Sequence, residues 1–164
     1  MKGDRCVAVI HNEPKVVTEM LIKRPVEEVF EAFIDPAITT KFWFTKSSGR
    51  LEPDAQVKWE WEMYGASTNV MVKEIVKNKL ILIEWGEPND LTTVEWTFRV
   101  RKDHTTLVTI TNKGFQGTGD EVVSQALDSM GGFTMILCSL KALLEFNVLL
   151  NVVADKAPDA HIPG

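Results

Sequence analysis

The 164-residue sequence has few of the residue types that build metal centres, disulfide frameworks or basic surfaces. It contains two cysteines and three histidines, none at metal-ligand spacing, so we expect no metal site and no cofactor. Its 18 Lys and Arg residues are outnumbered by 23 Asp and Glu residues, and the net charge of −5 argues against a nucleic-acid partner. We expect Cys6 and Cys138 to be reduced, with Cys138 buried as a small apolar residue.

One apolar run, residues 133–154, has the length of a membrane span. Four polar residues interrupt it: Lys141, Glu145, Asn147 and Asn151. Charged side chains at the centre of a bilayer are costly, which favours a buried helix. The apolar stretch at residues 6–10 is too short for the core of a secretion signal. We therefore expect a cytoplasmic protein with no membrane partner.

Alternating apolar and polar residues predict an antiparallel sheet. Residues 57–63 show the pattern best, because Val57, Trp59 and Trp61 share one phase while Lys58 and Glu60 share the other. Short turns separate the strand-like runs, which is typical of a meander. The predicted strands are residues 16–23, 57–63, 68–77, 80–85, 94–100 and 105–113, with residues 6–10 as a possible addition.

Helical patterns lie on both sides of the strand-rich region. After the first strand, residues 25–34 have one apolar face, and Asp35 is suited to cap a second short helix. A longer helix is predicted from about residue 120 to 153, opened by a capping box of Thr118 and Glu121. We expect one domain over residues 1–164, with an irregular tail at residues 155–164.

Several of these segments resemble the START-related, Bet v 1-like (SRPBCC) superfamily. The likeness is strongest to the branch homologous to the C-terminal domain of the activator of the Hsp90 ATPase. It spans residues 16–146 and is carried by RPVEEVF at 24–30, Asp35-Pro36, Phe42-Trp43, Glu84-Trp85, VEWTF at 94–98, TLVTIT at 106–111, Gly114-Phe115 and Gly132-Phe133. The branch often has Gly-Trp where this chain has Gly132-Phe133. We also expect no second domain of the kind with which the eukaryotic co-chaperone engages its partner.

The resemblance implies an α+β helix-grip fold, in which a curved antiparallel sheet wraps around a long C-terminal helix. Two short helices follow the first strand. Such a fold encloses an apolar cavity between sheet and helix, with its mouth expected near residues 42–44 and 114–119. The candidate ligand-binding residues are Phe30, Phe33, Trp43, Trp59, Trp61, Met63, Ile83, Trp85, Trp96, Phe98, Phe115, Met130, Phe133 and Leu137. Plain core packing of the tryptophans is the competing interpretation.

We expect the chain to bind a hydrophobic or aromatic small molecule. One alternative is a chaperone-linked interaction module, which needs an exposed apolar surface. Such a surface, or a homodimer contact, could be formed by Val148, Leu149, Leu150, Val152 and Val153. The other alternative, implied by cyclases and dehydratases of the superfamily, is an enzyme using the same cavity. No catalytic set is identified. Tyr64, Glu74 and Asn112 are the polar candidates, each expected to be exposed at a strand end.

Overall fold

The computed structural model describes residues 9–163, which form a seven-stranded antiparallel sheet closed by a long helix. The strand order is β1-β7-β6-β5-β4-β3-β2. The strands are β1 (Val16–Ile22), β2 (Lys46–Ser47), β3 (Gln56–Trp61), β4 (Ala66–Val76), β5 (Leu80–Trp85), β6 (Thr92–Val100) and β7 (Thr106–Lys113). The helices are α1 (Val26–Ile34), α2 (Pro36–Thr39), α3 (Gly119–Phe146) and α4 (Val152–Lys156). This is the expected α+β helix-grip fold.

The alternation of the strands sets the inner and outer faces of the sheet as predicted. Trp59 and Trp96 are each 1 % exposed on the inner face, whereas Lys58 and Arg99 lie exposed on the outer face. Because side chains alternate along a strand, one register fixes both faces at once. The sheet therefore has one apolar side, which receives α1 and α3.

Strand β3 is shorter than predicted. It ends at Trp61, and Glu62–Tyr64 forms a turn of 3₁₀ helix closed by Gly65 at φ 60°. The period-two pattern therefore stops before Met63, which does not belong to the inner face. The two-residue strand β2 was not predicted. Val9 and Ile10 lie in no strand, and the rest of the possible strand at residues 6–10 lies outside the described residues.

The long helix also ends earlier than predicted. Asn147 adopts a left-handed conformation at φ 52°, and its N–H donates to the carbonyls of Ala142 and Leu143, which terminates α3 at Phe146. The prediction of one helix to residue 153 is wrong because residues 147–151 form a turn before α4. Both predicted N-caps are confirmed: Asp35 on α2, and Thr118 with Glu121 on α3.

Within the described residues, the tail is partly helical, whereas the sequence predicts an irregular segment. Pro158–Ala160 forms a 3₁₀ turn, and the Ile162 N–H donates to the Met63 carbonyl at 2.9 Å. The rings of His161 and Tyr64 pack with centroids 5.2 Å apart. These contacts hold residues 155–163 against the turn that follows β3.

Helix α3 has the length and apolar composition of a membrane span, yet its apolar face is part of the core. Phe133, Leu137 and Leu140 on this face are at most 4 % exposed. The phase of the helix places Cys138 on the exposed side, so the expectation that Cys138 is buried is wrong. Burial of one side alone is typical of the core helix of a globular fold.

A charged contact fastens α3 to the edge strand β1. The Lys141 ammonium donates to Glu145 Oε2 at 2.6 Å and to the Leu21 carbonyl at 2.9 Å, and the Lys23 N–H donates to the same carboxylate at 3.1 Å. Burial of the carboxyl raises its pKa, but the two hydrogen bonds and the positive charge outweigh burial, so the pKa of Glu145 lies below its ordinary value.

The lowered pKa predicts acid sensitivity. Ionised Glu145 stabilises the fold above about pH 4.3, the pKa of an unfolded glutamate, and this stabilisation is lost as the pH falls through the folded-state pKa. We expect Glu145→Gln to lower the free energy of unfolding by about 1–3 kcal/mol at pH 7 and progressively less below about pH 4. Urea unfolding of both proteins from pH 7 to 3 measures this difference.

The matched control is Glu28→Gln, which removes the exposed i,i+4 pair of Arg24 and Glu28. Exposed pairs contribute little, so this variant should unfold like the parent at every pH. If Glu145→Gln lowered the free energy of unfolding by the same amount from pH 7 to 3, the stabilisation would not come from the ionised Glu145 carboxylate.

Core packing of α3 predicts a second stability difference. Leu140 is fully buried, so Leu140→Ala should lower the free energy of unfolding by about 2–5 kcal/mol. Leu127 lies on the same helix but is 69 % exposed, and Leu127→Ala should have little effect. Similar denaturation midpoints for the two variants would show that the apolar face of α3 has been misassigned.

Candidate functional site

A cavity of about 330 Å³ lies between the sheet, α3 and α4. We call it the aromatic cavity, because four of its lining residues are aromatic. It is lined by Trp43, Trp61, Trp85, Asn112, Asp128, Ser129, Gly132, Phe133, Met135, Ile136 and Val153. Trp61 and Trp85 are half-buried and Asp128 is exposed, so the cavity opens to solvent on this side.

The aromatic walls belong to one packed cluster centred on Trp43. The ring centroid of Trp43 is 6.0 Å from that of Trp85, 6.5 Å from that of Trp61 and 5.9 Å from that of Phe133. Trp59 lies behind this layer, 4.8 Å from Trp43, and is fully buried. Rings held by several neighbours keep their positions, so the cavity has stiff walls.

A network of hydrogen bonds forms the polar part of the wall. Asn112 Nδ2 donates to the Thr93 carbonyl at 2.8 Å and to Thr92 Oγ1 at 3.0 Å, and Ser129 Oγ donates to Asn112 Oδ1 at 2.7 Å. A carbonyl only accepts, which fixes the orientation of the Asn112 amide. Trp85 Nε1 also donates to Thr92 Oγ1, at 3.0 Å, so the network joins β5, β6, β7 and α3.

This network corrects the expectation that Asn112 is exposed. Asn112 is 2 % exposed, because it continues the inward phase of Val108 and Ile110 and pairs with Val94 on β6. Burial of an amide is tolerated where its polar groups find partners, as they do here.

The other two polar candidates lie away from the aromatic cavity. Glu74 is exposed next to a register shift in β4, as expected. Tyr64 is half-buried rather than exposed, and its hydroxyl donates to the Val153 carbonyl. Tyr64 thus holds α4, which brings Val153 to the cavity wall.

Four of the fourteen predicted ligand-binding residues line the aromatic cavity: Trp43, Trp61, Trp85 and Phe133. Seven others fill the closed core instead: Phe30, Phe33, Trp59, Ile83, Trp96, Phe98 and Leu137. The remaining three, Met63, Phe115 and Met130, lie outside the cavity lining. Met130 is 40 % exposed, and Met63 borders a separate depression of about 60 Å³. Ligand contact stays a prediction for the four lining residues.

Several lining residues were not predicted. Five of them lie on one side of α3: Asp128, Ser129, Gly132, Met135 and Ile136. Their helical spacing was the available signal, but the apolar face at Phe133, Leu137 and Leu140 is the stronger pattern. Val153 could not be placed without the turn that folds α4 back.

The expected mouth is also displaced. Phe42 and Phe44 are 3 % and 1 % exposed and close the core, and the loop at residues 114–118 does not line the cavity. The opening instead lies between Trp61, Trp85 and the 128–135 segment of α3.

A second depression of about 270 Å³ shares Trp61 and Trp85 with the aromatic cavity. We call it the outer depression; its other lining residues are Thr68, Gly86, Asp90 and Thr92. A larger depression of about 610 Å³ is lined by charged residues such as Lys58, Lys73 and Glu84, which suit a solvated surface. Apolar, concave walls with a few polar groups favour the aromatic cavity as the ligand site.

Buried donors and metal-ligating groups add little chemistry to the site. Trp96 Nε1 is the one buried side-chain N or O without a hydrogen-bond partner among the described residues. Its neighbours include the rings of Phe33, Trp43 and Phe133, and aromatic faces are weak acceptors. Within residues 9–163, no three His, Cys, Asp or Glu side chains are grouped as a metal site would require.

A curved antiparallel sheet gripping a C-terminal helix, with a cavity between them, defines a protein of the SRPBCC class. Residues 23–145 match the family described as Activator of Hsp90 ATPase homolog 1-like protein, and the chain belongs to this family. Among curated proteins, none matches the chain.

Solved structures show the same fold. Protein SSP2350 from Staphylococcus saprophyticus is 32 % identical, with a TM-score of 0.72 over 84 % of this chain and 96 % of that one. The Aha1 dimer from Colwellia psychrerythraea is 19 % identical, with a TM-score of 0.71 over 81 % and 97 % of the two chains. CalU16 from Micromonospora echinospora is 14 % identical, with a TM-score of 0.66 over 89 % and 83 %.

Proposed function

We propose that the protein binds a hydrophobic or aromatic small molecule in the aromatic cavity. The observation that carries this proposal is the open, stiff-walled space between Trp61, Trp85 and Phe133, which the side chains of the core leave unfilled. A volume of about 330 Å³ is at the lower end of the range for ligand pockets, so the ligand is small.

Apolar burial supplies the affinity in this proposal. A ligand that buries roughly 200 Å² of apolar surface gains about 5 kcal/mol before the costs of association. Those costs are partly reduced here, because the walls are already in place before the ligand arrives. Since 5 kcal/mol corresponds to a dissociation constant of about 0.2 mM, we expect dissociation constants of about 0.2 to 1 mM.

Binding is favoured over catalysis by the state of the polar residues. Asn112 and Ser129 are engaged with each other, Tyr64 holds the backbone of α4, and Glu74 lies outside the cavity. A cyclase or dehydratase needs acid and base groups within hydrogen-bond reach of its substrate. The described residues bring no such pair into the cavity, so the enzyme alternative lacks support.

The proposal predicts that Trp61 contributes to binding more than to folding. Trp61→Ala removes one wall, so we expect a two- to twelvefold loss of affinity, the roughly 0.5–1.5 kcal/mol of an aromatic contact. The measurement is a titration with flavonoids, fatty acids and naphthalene derivatives, followed by calorimetry and by the rise in melting temperature.

The matched control is Phe98→Leu, in a core residue packed against Phe30 and Phe33 away from the cavity. This variant should lose stability and keep its affinity. If Trp61→Ala changed affinity no more than Phe98→Leu does, Trp61 would be an ordinary core residue. If no compound bound below about millimolar, the carrier proposal would be wrong.

A second proposal concerns self-association. Four apolar side chains are exposed at the end of α3 and in the turn that follows: Phe146, Val148, Leu149 and Leu150, exposed by 69, 46, 62 and 42 %. Adjacent exposed apolar residues mark contact surfaces. The relative from Colwellia psychrerythraea is a dimer, and we propose that this surface contacts a second copy of the chain.

This proposal predicts a concentration-dependent dimer in sedimentation velocity, and its loss in Leu149→Lys. Leu127→Lys is the control, because Leu127 is as exposed as Phe146 but lies nearer the other end of α3. A monomeric parent protein at all concentrations would overturn the dimer, and the surface would then be open to the chaperone-linked alternative. A dimer unaffected by Leu149→Lys would place the interface elsewhere.

A further inference from the structure

Among residues 9–163, the charged residues that line the aromatic cavity and the outer depression are negative. Asp128 is the one charged residue of this part of the chain in the cavity lining, and Asp90 is the one in the lining of the outer depression. Neither carboxylate forms an ion pair with any residue between 9 and 163. Within the described residues, a ligand in the cavity therefore meets the Asp128 carboxylate and no lining lysine or arginine.

The hydrogen bonds of Asn112 and Ser129 leave acceptors rather than donors at their part of the wall. Both amide hydrogens of Asn112 are donated within the protein, and the Ser129 hydroxyl hydrogen is donated to Asn112 Oδ1. What remains at this wall are lone pairs on Ser129 Oγ and Asn112 Oδ1. Thr92 keeps one hydroxyl hydrogen, but Thr92 lines the outer depression rather than the cavity.

The aromatic walls favour the same kind of partner. Trp43, Trp61, Trp85 and Phe133 surround the cavity, and the centroids of Trp85 and Phe133 are 5.7 Å apart. The face of an aromatic ring is negative and attracts a cation, most strongly for tryptophan. Three tryptophans and one carboxylate that line the same cavity are the side chains that suit an ammonium group.

We infer that the ligand of the aromatic cavity carries a cationic, hydrogen-bond-donating group, a protonated amine or a quaternary ammonium, on a small apolar or aromatic body. The cation lies at Asp128, with Ser129 Oγ as an acceptor when the group has N–H donors. The apolar body lies against the rings of Trp43 and Phe133 that line the cavity. This inference rests on the proposed binding function and specifies the class of ligand.

Three probes of one shape test the inference: 2-(naphthalen-2-yl)ethylamine, 2-(naphthalen-2-yl)ethanol and naphthalen-2-ylacetate. Titration calorimetry at pH 7 and low salt should show the amine binding about tenfold more tightly than the alcohol, and the acid most weakly. Asp128→Asn should remove most of the advantage of the amine over the alcohol.

The control for net charge is Asp120→Asn, in an exposed residue in the first turn of the same helix and outside the cavity. It should leave all three affinities unchanged. If Asp120→Asn and Asp128→Asn reduced amine binding equally, the preference would come from the net charge of −5, and the assignment to this site would be wrong.

The remaining outcomes separate this inference from the binding proposal. If the alcohol or the acid bound as tightly as the amine, the cationic ligand class would be wrong while the carrier proposal stood. If none of the three probes bound, both would fail.

Discussion

The contact on which the cavity depends is the packing of Trp43 against the inner face of the sheet. Its ring meets Trp59 on β3, Trp85 on β5 and Trp96 on β6, with centroids 4.8 to 6.0 Å apart. It also meets Phe133 of α3 at 5.9 Å. One side chain, on the segment after α2, therefore ties three strands and the C-terminal helix into a single layer. Because this layer is stiff, space next to it stays open rather than collapsing.

The tryptophans of the sheet divide into two groups according to how far they are buried. Trp59 and Trp96 are covered on every side and stabilise the core. Trp61 and Trp85 lie where β3 gives way to a 3₁₀ turn and β5 to a loop, and each is only half-buried. Helix α4 completes the wall of the cavity. It is held in place because the Tyr64 hydroxyl donates a hydrogen bond to the Val153 carbonyl. In the proposed binding function, stability and ligand contact therefore fall to different members of one aromatic set.

The fold was predictable because its signals are local. Period-two alternation places Trp59 and Lys58 on opposite faces, and side-chain caps at Asp35 and Thr118 mark helix starts. The lining of the cavity was less predictable, because it depends on which inward-facing residues are covered by other side chains of the core. Phe30 and Phe98 look like wall residues in the sequence, yet they pack against each other at 5.2 Å. Asn147 is a residue type that often ends helices, but it lies inside an apolar run that favours continuation, so the turn that brings Val153 to the wall was missed.

The central claim is that the space between Trp61, Trp85 and α3 is an open ligand site. The most direct measurement is a ¹H–¹⁵N spectrum of the five tryptophan indole N–H groups, assigned by single Trp→Phe variants, during titration with the neutral probe 2-(naphthalen-2-yl)ethanol. The account predicts saturable shifts that are largest for Trp61 and Trp85, and smaller shifts for the buried Trp59. Unchanged indole signals, or equal shifts at all five tryptophans, would contradict it.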